Sequence, residues 1–371
     1  MRIIVIAFAD NNLGAYAKKD EAKYISIKAT YARYITIDYV GLHPVSQFLG
    51  VQMIRDRVLK TMTLCQSGYI KRVSNRRAGK FEEHTCPVGN SKSDRDTFSA
   101  LAPAKTDDER CDKSEYLGVL GEYGWVTGMT RPDQALYFVK LASLTHAPTT
   151  VALKFLYRVY GHMVYSCELG LTYGGPLRVP MGLGCMPANY VASNGSHQYS
   201  DSSWGGPRPY GGYVTMYYGG AANWSAFSLK IEPDSSAEAE TAVSSKASKD
   251  ARFHRLFMED AGCPVTGPTP LLVDNKALHD LVNKPGASAR TRYFERATRF
   301  VKYAVRKIMV TLLLIGTKYM VADVFTKPLE KDLYYKFRDY MLNSHACSHS
   351  AHHARTKRSI INRFLSRFTM D

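Results

Sequence analysis

The apolar positions of this chain change period several times, and those changes lay out its elements. Residues 3–8 form a continuous apolar run, and 61–64 alternate as a half-buried strand does. Over 116–126 and 134–144 the apolar residues recur three and four apart, which predicts helices. From 170 to 194 the period dissolves into Gly174, Gly175, Pro176, Pro180, Gly182, Gly184 and Pro187, the composition of a connection between folded units. Beyond it, a strand near Gln198 is followed by strands over 213–218 and 221–227. Gly219-Gly220 between them supplies the positive φ that a tight hairpin needs. Ser235 or Ser236 then caps a helix rich in Ala, Glu and Lys that runs to about Ala261. A buried strand over 270–273, helices over 276–283 and 291–307, a strand over 309–315 and a helix opening at Val321 complete the series. Three antiparallel strands followed by helices alternating with strands predict an α/β unit built on a mixed sheet.

Composition sharpens this picture. With 371 residues, 45% hydrophobic and 22% charged, most of the chain can bury a core, and the length allows two or three domains. The 49 Lys and Arg against 33 Asp and Glu give +16, which favours a polyanionic partner such as nucleic acid; a solvated basic surface is the plainer reading. Seven scattered cysteines without a C-x-x-C pair point to neither a disulfide framework nor a zinc site, and fit a reducing, intracellular setting. The apolar start is short and runs into Asp10, as a buried strand would rather than a signal peptide, and 310–315 is far too short to cross a bilayer, so no membrane partner is expected. From 344 to 371 His345, His349, His352, His353, Arg355, Lys357 and Arg358 mark a basic tail, expected to be disordered apart from a short amphipathic helix over 360–368.

Four acids fall where the predicted layout brings chain ends together: Asp201 on the first strand, Glu240 in the first helix, Asp274 ending the fourth strand, and Asp323 opening the last helix. Asp274 follows Leu271-Leu272-Val273 and precedes a helix, at the carboxyl edge where α/β sheets bind ligands; alone it reads equally as a helix cap. Glu238 and Glu240 point in different directions on a helix, so one of them faces the cluster, and Glu240 is preferred. Four convergent carboxylates repel one another unless cations intervene, and oxygen-only ligands select two Mg²⁺ or Mn²⁺ ions, the set used to hydrolyse phosphodiesters.

At these residues the chain resembles the ribonuclease H domain of Ty1/copia retrotransposons. The resemblance is carried by Tyr199-Ser200-Asp201 with Trp204 and Gly205, Gly212-Tyr213, Trp224-Ser225, Ser235-Ser236-Ala237-Glu238-Ala239-Glu240, Asp274-Asn275, Arg290-Thr291-Arg292, and Ala322-Asp323-Val324-Phe325-Thr326-Lys327-Pro328-Leu329. It implies catalysis by Asp201, Glu240, Asp274 and Asp323, and an RNA/DNA hybrid as substrate. Ser288, Tyr293 and Arg299 stand where the family carries His, Gly316 where it has Pro, and the loop from Gly205 to Gly211 is shortened. Upstream, Phe48-Leu49-Gly50, Gln66 with Tyr69-Ile70, Tyr116 with Gly121, and Thr130-Arg131-Pro132-Asp133 resemble the end of the same element's reverse transcriptase. Phe8-Ala9-Asp10-Asn11 stands where that family has Tyr-Val-Asp-Asp, so an amide replaces the second carboxylate and polymerase activity is not expected. The expectation is therefore a partial palm and thumb α+β region over 1–170, a linker over 171–194, a ribonuclease H-like five-stranded mixed sheet with flanking helices over 195–343, and the tail. It further implies that the rest of a Pol polyprotein is a partner and that the setting is a cytoplasmic virus-like particle or the nucleus. The competing expectation is a non-catalytic remnant that binds nucleic acid.

A helical wheel from 292 to 307 sets Arg292, Arg296, Arg299, Lys302, Arg306 and Lys307 on one side and Phe294, Ala297, Phe300, Val301, Ala304 and Ile308 on the other. With Arg290, this cationic stripe predicts phosphate contacts that do not read sequence; a solvated face is the alternative. Trp204 and Trp224 are able to stack on bases, but at strand positions core packing is the expected role.

Overall fold

The computed structural model describes residues 3–8, 11–16, 18–31, 33, 46–77, 79–204, 208–230, 232–283 and 295–346. The expected tail from 347 on, Ala9, Asp10, Arg290, Arg292, Ser288 and Tyr293 lie outside the described residues. Strands β1 (Ile3–Phe8) and β2 (Asn11–Tyr16) form a hairpin, followed by helix α1 (Glu21–Tyr31). A second, antiparallel sheet has the order β3 (Gln47–Phe48), β4 (Val51–Asp56), β5 (Thr61–Cys65) and β6 (Leu171–Gly174). Between β5 and β6 run helices α2 (Ser67–Arg76), α3 (Lys92–Ser99), α4 (Lys113–Met129), α5 (Ala135–Ala142) and α6 (Thr150–Tyr165). The connection read over 171–194 thus opens with a paired strand.

The third sheet contains β7 (His197–Ser202), β8 (Tyr210–Tyr217), β9 (Gly220–Ser228), β10 (Thr269–Val273) and β11 (Val310–Leu314), in the order β11-β10-β7-β8-β9. β8 runs antiparallel to both of its neighbours, β7 and β9, while β7, β10 and β11 are parallel. This is the expected ribonuclease H-like mixed five-stranded sheet in an α/β chain. The hairpin turn is displaced by one residue: Tyr218 and Gly219 take φ of 48° and 87°, and Gly220 already pairs in β9. Gly220 lies against the backbone of β6, where a Cβ would come 2.7 Å from the Thr172 carbonyl oxygen, so its missing side chain serves packing rather than the turn.

Side chains alternate across this sheet as the pleat demands. Leu271, Val273 and Leu312 face helices α7 (Ser236–Asp260), α8 (Lys276–Asn283) and α9 (Glu295–Arg306), where Ala247, Ala251, Leu278, Val301 and Ala304 fill the interface. Tyr199, Val214 and Leu272 face the other way, into a core shared with α10 (Lys331–Leu342) and with Tyr123, Leu141 and Tyr160 of the upstream helices. Among the described residues no helix is long and apolar enough to cross a membrane.

Two sequence expectations fail here. Val321 opens a 3-10 turn (Val321–Phe325), not the last helix, because Pro328 disfavours a helical residue before it and the chain restarts as α10 only at Lys331. Ile308 was placed on the apolar face of α9, but it follows the helix at φ 56° and is 63% exposed.

A carboxylate cluster at the sheet edge

Asp201 sits near the end of the central strand β7, where it pairs across with Gly212 of β8. Two glycines in β8 set what can approach it. A Cβ on Gly211 would lie 2.4 Å from Val243 of α7, and one on Gly212 would lie 2.1 Å from the Cβ of Phe325. Their bare backbone therefore lets α7 close on one face of β8 and the 3-10 turn bearing Asp323 close on the other.

α7 begins at Ser235, whose hydroxyl accepts from the Glu238 amide at 3.2 Å, while the Glu238 carboxylate reaches back to accept from the Asp234 amide at 3.0 Å. This reciprocal cap consumes Glu238 and leaves Glu240, two residues on and about 200° round the helix, to face the sheet. Asn275 is the cap of α8: its side-chain oxygen accepts from the Leu278 amide at 3.0 Å. The neighbouring Asp274 is thereby released from the capping role that it could have filled.

Ligand-capable oxygens of Asp201, Glu240 and Asp274 all lie within 4.8 Å of one another. Asp201 and Glu240 are each 4% exposed, which makes their charges expensive. Burial first, then the neighbouring Asp323, pushes the Asp201 carboxyl up to about 7, and the Thr326 hydroxyl opposes this by donating to Asp201 Oδ2 at 2.5 Å. Burial, then Asp201 and Asp274, pushes Glu240 up to about 9. Glu240 Oε1 accepts from the Ser202 amide at 3.2 Å, but its buried Oε2 has no hydrogen-bond partner among the described residues. Asp323 adjoins Asp201 rather than completing the trio. Burial raises its pKa, and Lys327 holds it with Nζ 3.0 Å from Oδ1. Thus the structure brings three of the four acids to one point, with the fourth on its flank.

An orphaned buried carboxylate oxygen inside an all-oxygen donor set is the chemistry of a hard divalent cation site. Lys327 was missed in the sequence, although its place four residues after Asp323 was the available signal. Trp204 departs from its expected core position: it is 57% exposed beyond the end of β7, where its indole N–H donates to the Pro233 carbonyl at 3.0 Å. Of the cationic stripe, Arg296, Arg299 and Arg306 are exposed on α9, Lys302 is half-buried, and Arg299 is paired with Glu295 at 2.6 Å.

Sheet order and acid cluster together define a ribonuclease H-like α/β unit with a candidate metal site at its edge. The chain's homologues are retrovirus-related Pol polyproteins of copia-type transposons. It is 24% identical over 232 residues to the polyprotein from transposon RE1 of Arabidopsis thaliana, a match over 61% of this chain and 15% of that protein. It is 23% identical over 335 residues to that from transposon TNT 1-94 of Nicotiana tabacum, covering 89% of this chain and 24% of that one. The matches thus span a quarter or less of these relatives. No protein-family model matches the chain. Similar solved structures include ribonuclease H1 from Halobacterium salinarum NRC-1, at TM-score 0.26 and 14% identity over 35% of this chain and 93% of that one. Another is the foamy viral protease-reverse transcriptase in complex with dsDNA, at TM-score 0.37 and 9% identity over 84% and 55%.

Proposed function

We propose that residues 195–343 form a metal-dependent endoribonuclease that cuts the RNA strand of an RNA/DNA hybrid, within a retrotransposon Pol polyprotein. The observation that carries this reading is the convergence of Asp201, Glu240 and Asp274 from three separate elements around the unpartnered Glu240 Oε2. Asp201, Glu240 and Asp274, with Asp323 beside them, would hold Mg²⁺ or Mn²⁺, two ions in the full site. Bound there, the metal supplies Lewis acidity for attack of water on a phosphodiester. The chain's own part is to hold the acids in place. Ser202 fixes Glu240, Thr326 fixes Asp201, and Lys327 holds Asp323 while offsetting the surplus negative charge. Arg296, Arg299, Lys302 and Arg306, with Arg290 and Arg292, are proposed to track the phosphates of the hybrid.

We further propose that the upstream region to about residue 170 is a partial reverse transcriptase without polymerase activity, since Asn11 cannot supply the charge of the carboxylate that it replaces. The purified chain, given a fluorescent RNA/DNA hybrid, is expected to cleave the RNA strand with Mg²⁺, not with a chelator, and not after Asp274→Asn. A folded chain that binds the hybrid in Mg²⁺ or Mn²⁺ without cutting it overturns the nuclease reading and leaves a binding remnant.

A further inference from the structure

A second feature lies on the same helix as Glu240 but away from the acids. Between α7 and the edge strand β9 runs an open groove of about 400 Å³, lined by Tyr213, Phe227, Lys246, Lys249, Asp250 and Phe253, with Ser225 at its side. The four α7 residues recur three and four apart and so form one stripe. At about 1.5 Å per residue, that stripe begins about 9 Å beyond Glu240 and ends about 20 Å beyond it.

The chemistry of the groove is uniform. Lys246 Nζ sits 3.4 Å from the centre of the Phe227 ring, and Lys249 Nζ lies 5.3 Å from that of Phe300 on α9. Phe253 is 67% exposed, so its ring is open to a partner. Burial first, then the charges of Lys230 and Lys249, holds Lys246 below its usual pKa. The single acid of the groove is turned into the floor: Asp250 accepts from Thr215 at 2.6 Å, from Gln198 at 3.2 Å, and from Asn223. Burial also raises its pKa, which weakens its opposition to an anion.

Neighbouring ammonium groups call for phosphate, and the exposed Phe253 ring on the same helix stripe calls for a flat, stackable partner. From this juxtaposition we propose that the groove between α7 and β9 binds single-stranded nucleic acid without reading its sequence, with phosphates between Lys246 and Lys249 and a base stacked on Phe253. The groove runs off from the acid cluster along α7, so a strand leaving that edge of the sheet could continue into it. Binding here does not depend on the metal reaction.

The test uses the full chain in EDTA with fluorescein-labelled oligothymidylate of twenty nucleotides, read by anisotropy across a salt series. Lys246→Ala with Lys249→Ala should weaken binding about tenfold or more at ~50 mM salt. It should also reduce the slope of log affinity against log salt by about 1.4, because each phosphate contact on a single strand contributes about 0.7. Phe253→Ala should weaken binding about fivefold or more with the slope unchanged, and Phe253→Trp should restore it. All three positions are at the surface, and circular dichroism confirms that the variants are folded. Unchanged affinity and slope in the folded variants overturn the proposal. So does sedimentation showing a dimer that Phe253→Ala dissociates, since the ring would then be covered by a second copy of the chain. Neither result touches the nuclease reading, because EDTA removes the metal and oligothymidylate is not a hybrid.

Discussion

Glu240 and Asp201 are the two residues on which the metal-free fold pays most for its site. Both carboxyls are raised, Glu240 to about 9 and Asp201 to about 7, chiefly by burial. In the unfolded chain each would titrate near 4. The folded state therefore binds more protons, and the stability linked to these groups is fully present below about pH 4 and lost as pH rises through 7 and then 9. Between pH 7 and 9 the buried histidines do not confuse the sign: His162 and His197 are pushed down to about 3 and about 4, so both are neutral in that window. In EDTA, the melting temperature should fall from pH 7 to 9. Glu240→Gln should flatten that fall, and Mg²⁺ should raise the melting temperature more at pH 9 than at pH 7. A flat or rising profile for the metal-free chain would show that these acids are not held as close or as dry as the structure places them.

At the scale of elements, the site depends on three approaches to β7, and two of them pass over Gly211 and Gly212. Gly212→Ala should push the 3-10 turn and Asp323 outward, because the new methyl meets Phe325 at its Cβ, which is fixed to backbone rather than at a flexible tip. We expect hybrid cleavage to drop by tenfold or more, with a higher Mg²⁺ requirement, while circular dichroism stays native; full activity would mean that the turn can shift without cost. Asn275→Ala should remove about 1 kcal/mol of stability by uncapping α8, with Asn275→Ser recovering most of it, measured by denaturant unfolding. These elements were unequally legible. The apolar run Leu271-Leu272-Val273 and the Ala-rich stretch of α7 declared themselves, because their periods follow directly from burial. β7 was legible mainly through its place before the hairpin. Its His197, Gln198 and Ser200 are buried polar groups whose side chains bond to other elements, as Gln198 Nε2 does to Thr215 and Ser200 to Ser244. The fate of Asp323 was misread because a helix period continues across Pro328 on paper, whereas the ring ends it in space. The division of labour between Glu238 and Glu240 was legible from the wheel, but the hydrogen bond that enforces it was not.

For the molecule as a whole, the upstream region is built into the same core as the five-stranded sheet. Its tie point is dry and ionic. Arg131 and Asp133 are fully buried and paired at 2.8 Å, with a second contact from Arg131 Nε to Asp133 Oδ1 at 2.9 Å. The Tyr334 hydroxyl of α10 donates to Asp133 Oδ2 at 2.5 Å. His162 of α6 donates from Nδ1 to the His84 carbonyl at 2.9 Å and places Nε2 3.1 Å from the same Tyr334 hydroxyl. The sequence showed Thr130-Arg131-Pro132-Asp133 as a motif but not its partner, since Tyr334 lies 201 positions after Asp133. Removing one member of such a pair strands the other charge in a dry interior, at a cost of about 3–5 kcal/mol. Asp133→Asn should therefore lower the melting temperature of the upstream helices and of the ribonuclease H-like sheet together. Acid should act at the same joint. The Arg131 guanidinium holds Asp133 well below the usual carboxylate range against the opposing effect of burial, and burial holds His162 near 3. Both folded pKa values are depressed, so the stability they contribute is present at neutral pH. It is lost as pH falls below about 6.5 for His162 and below about 4 for Asp133. Differential scanning calorimetry from pH 4 to 3, below the window in which protonation of Asp201 and Glu240 offsets the loss, with limited proteolysis at each step, is expected to show a single transition moving to lower temperature and no surviving C-terminal fragment. Release of a stable, folded piece covering residues 195–343 would mean that the joint merely touches the two regions and does not make them one cooperative unit.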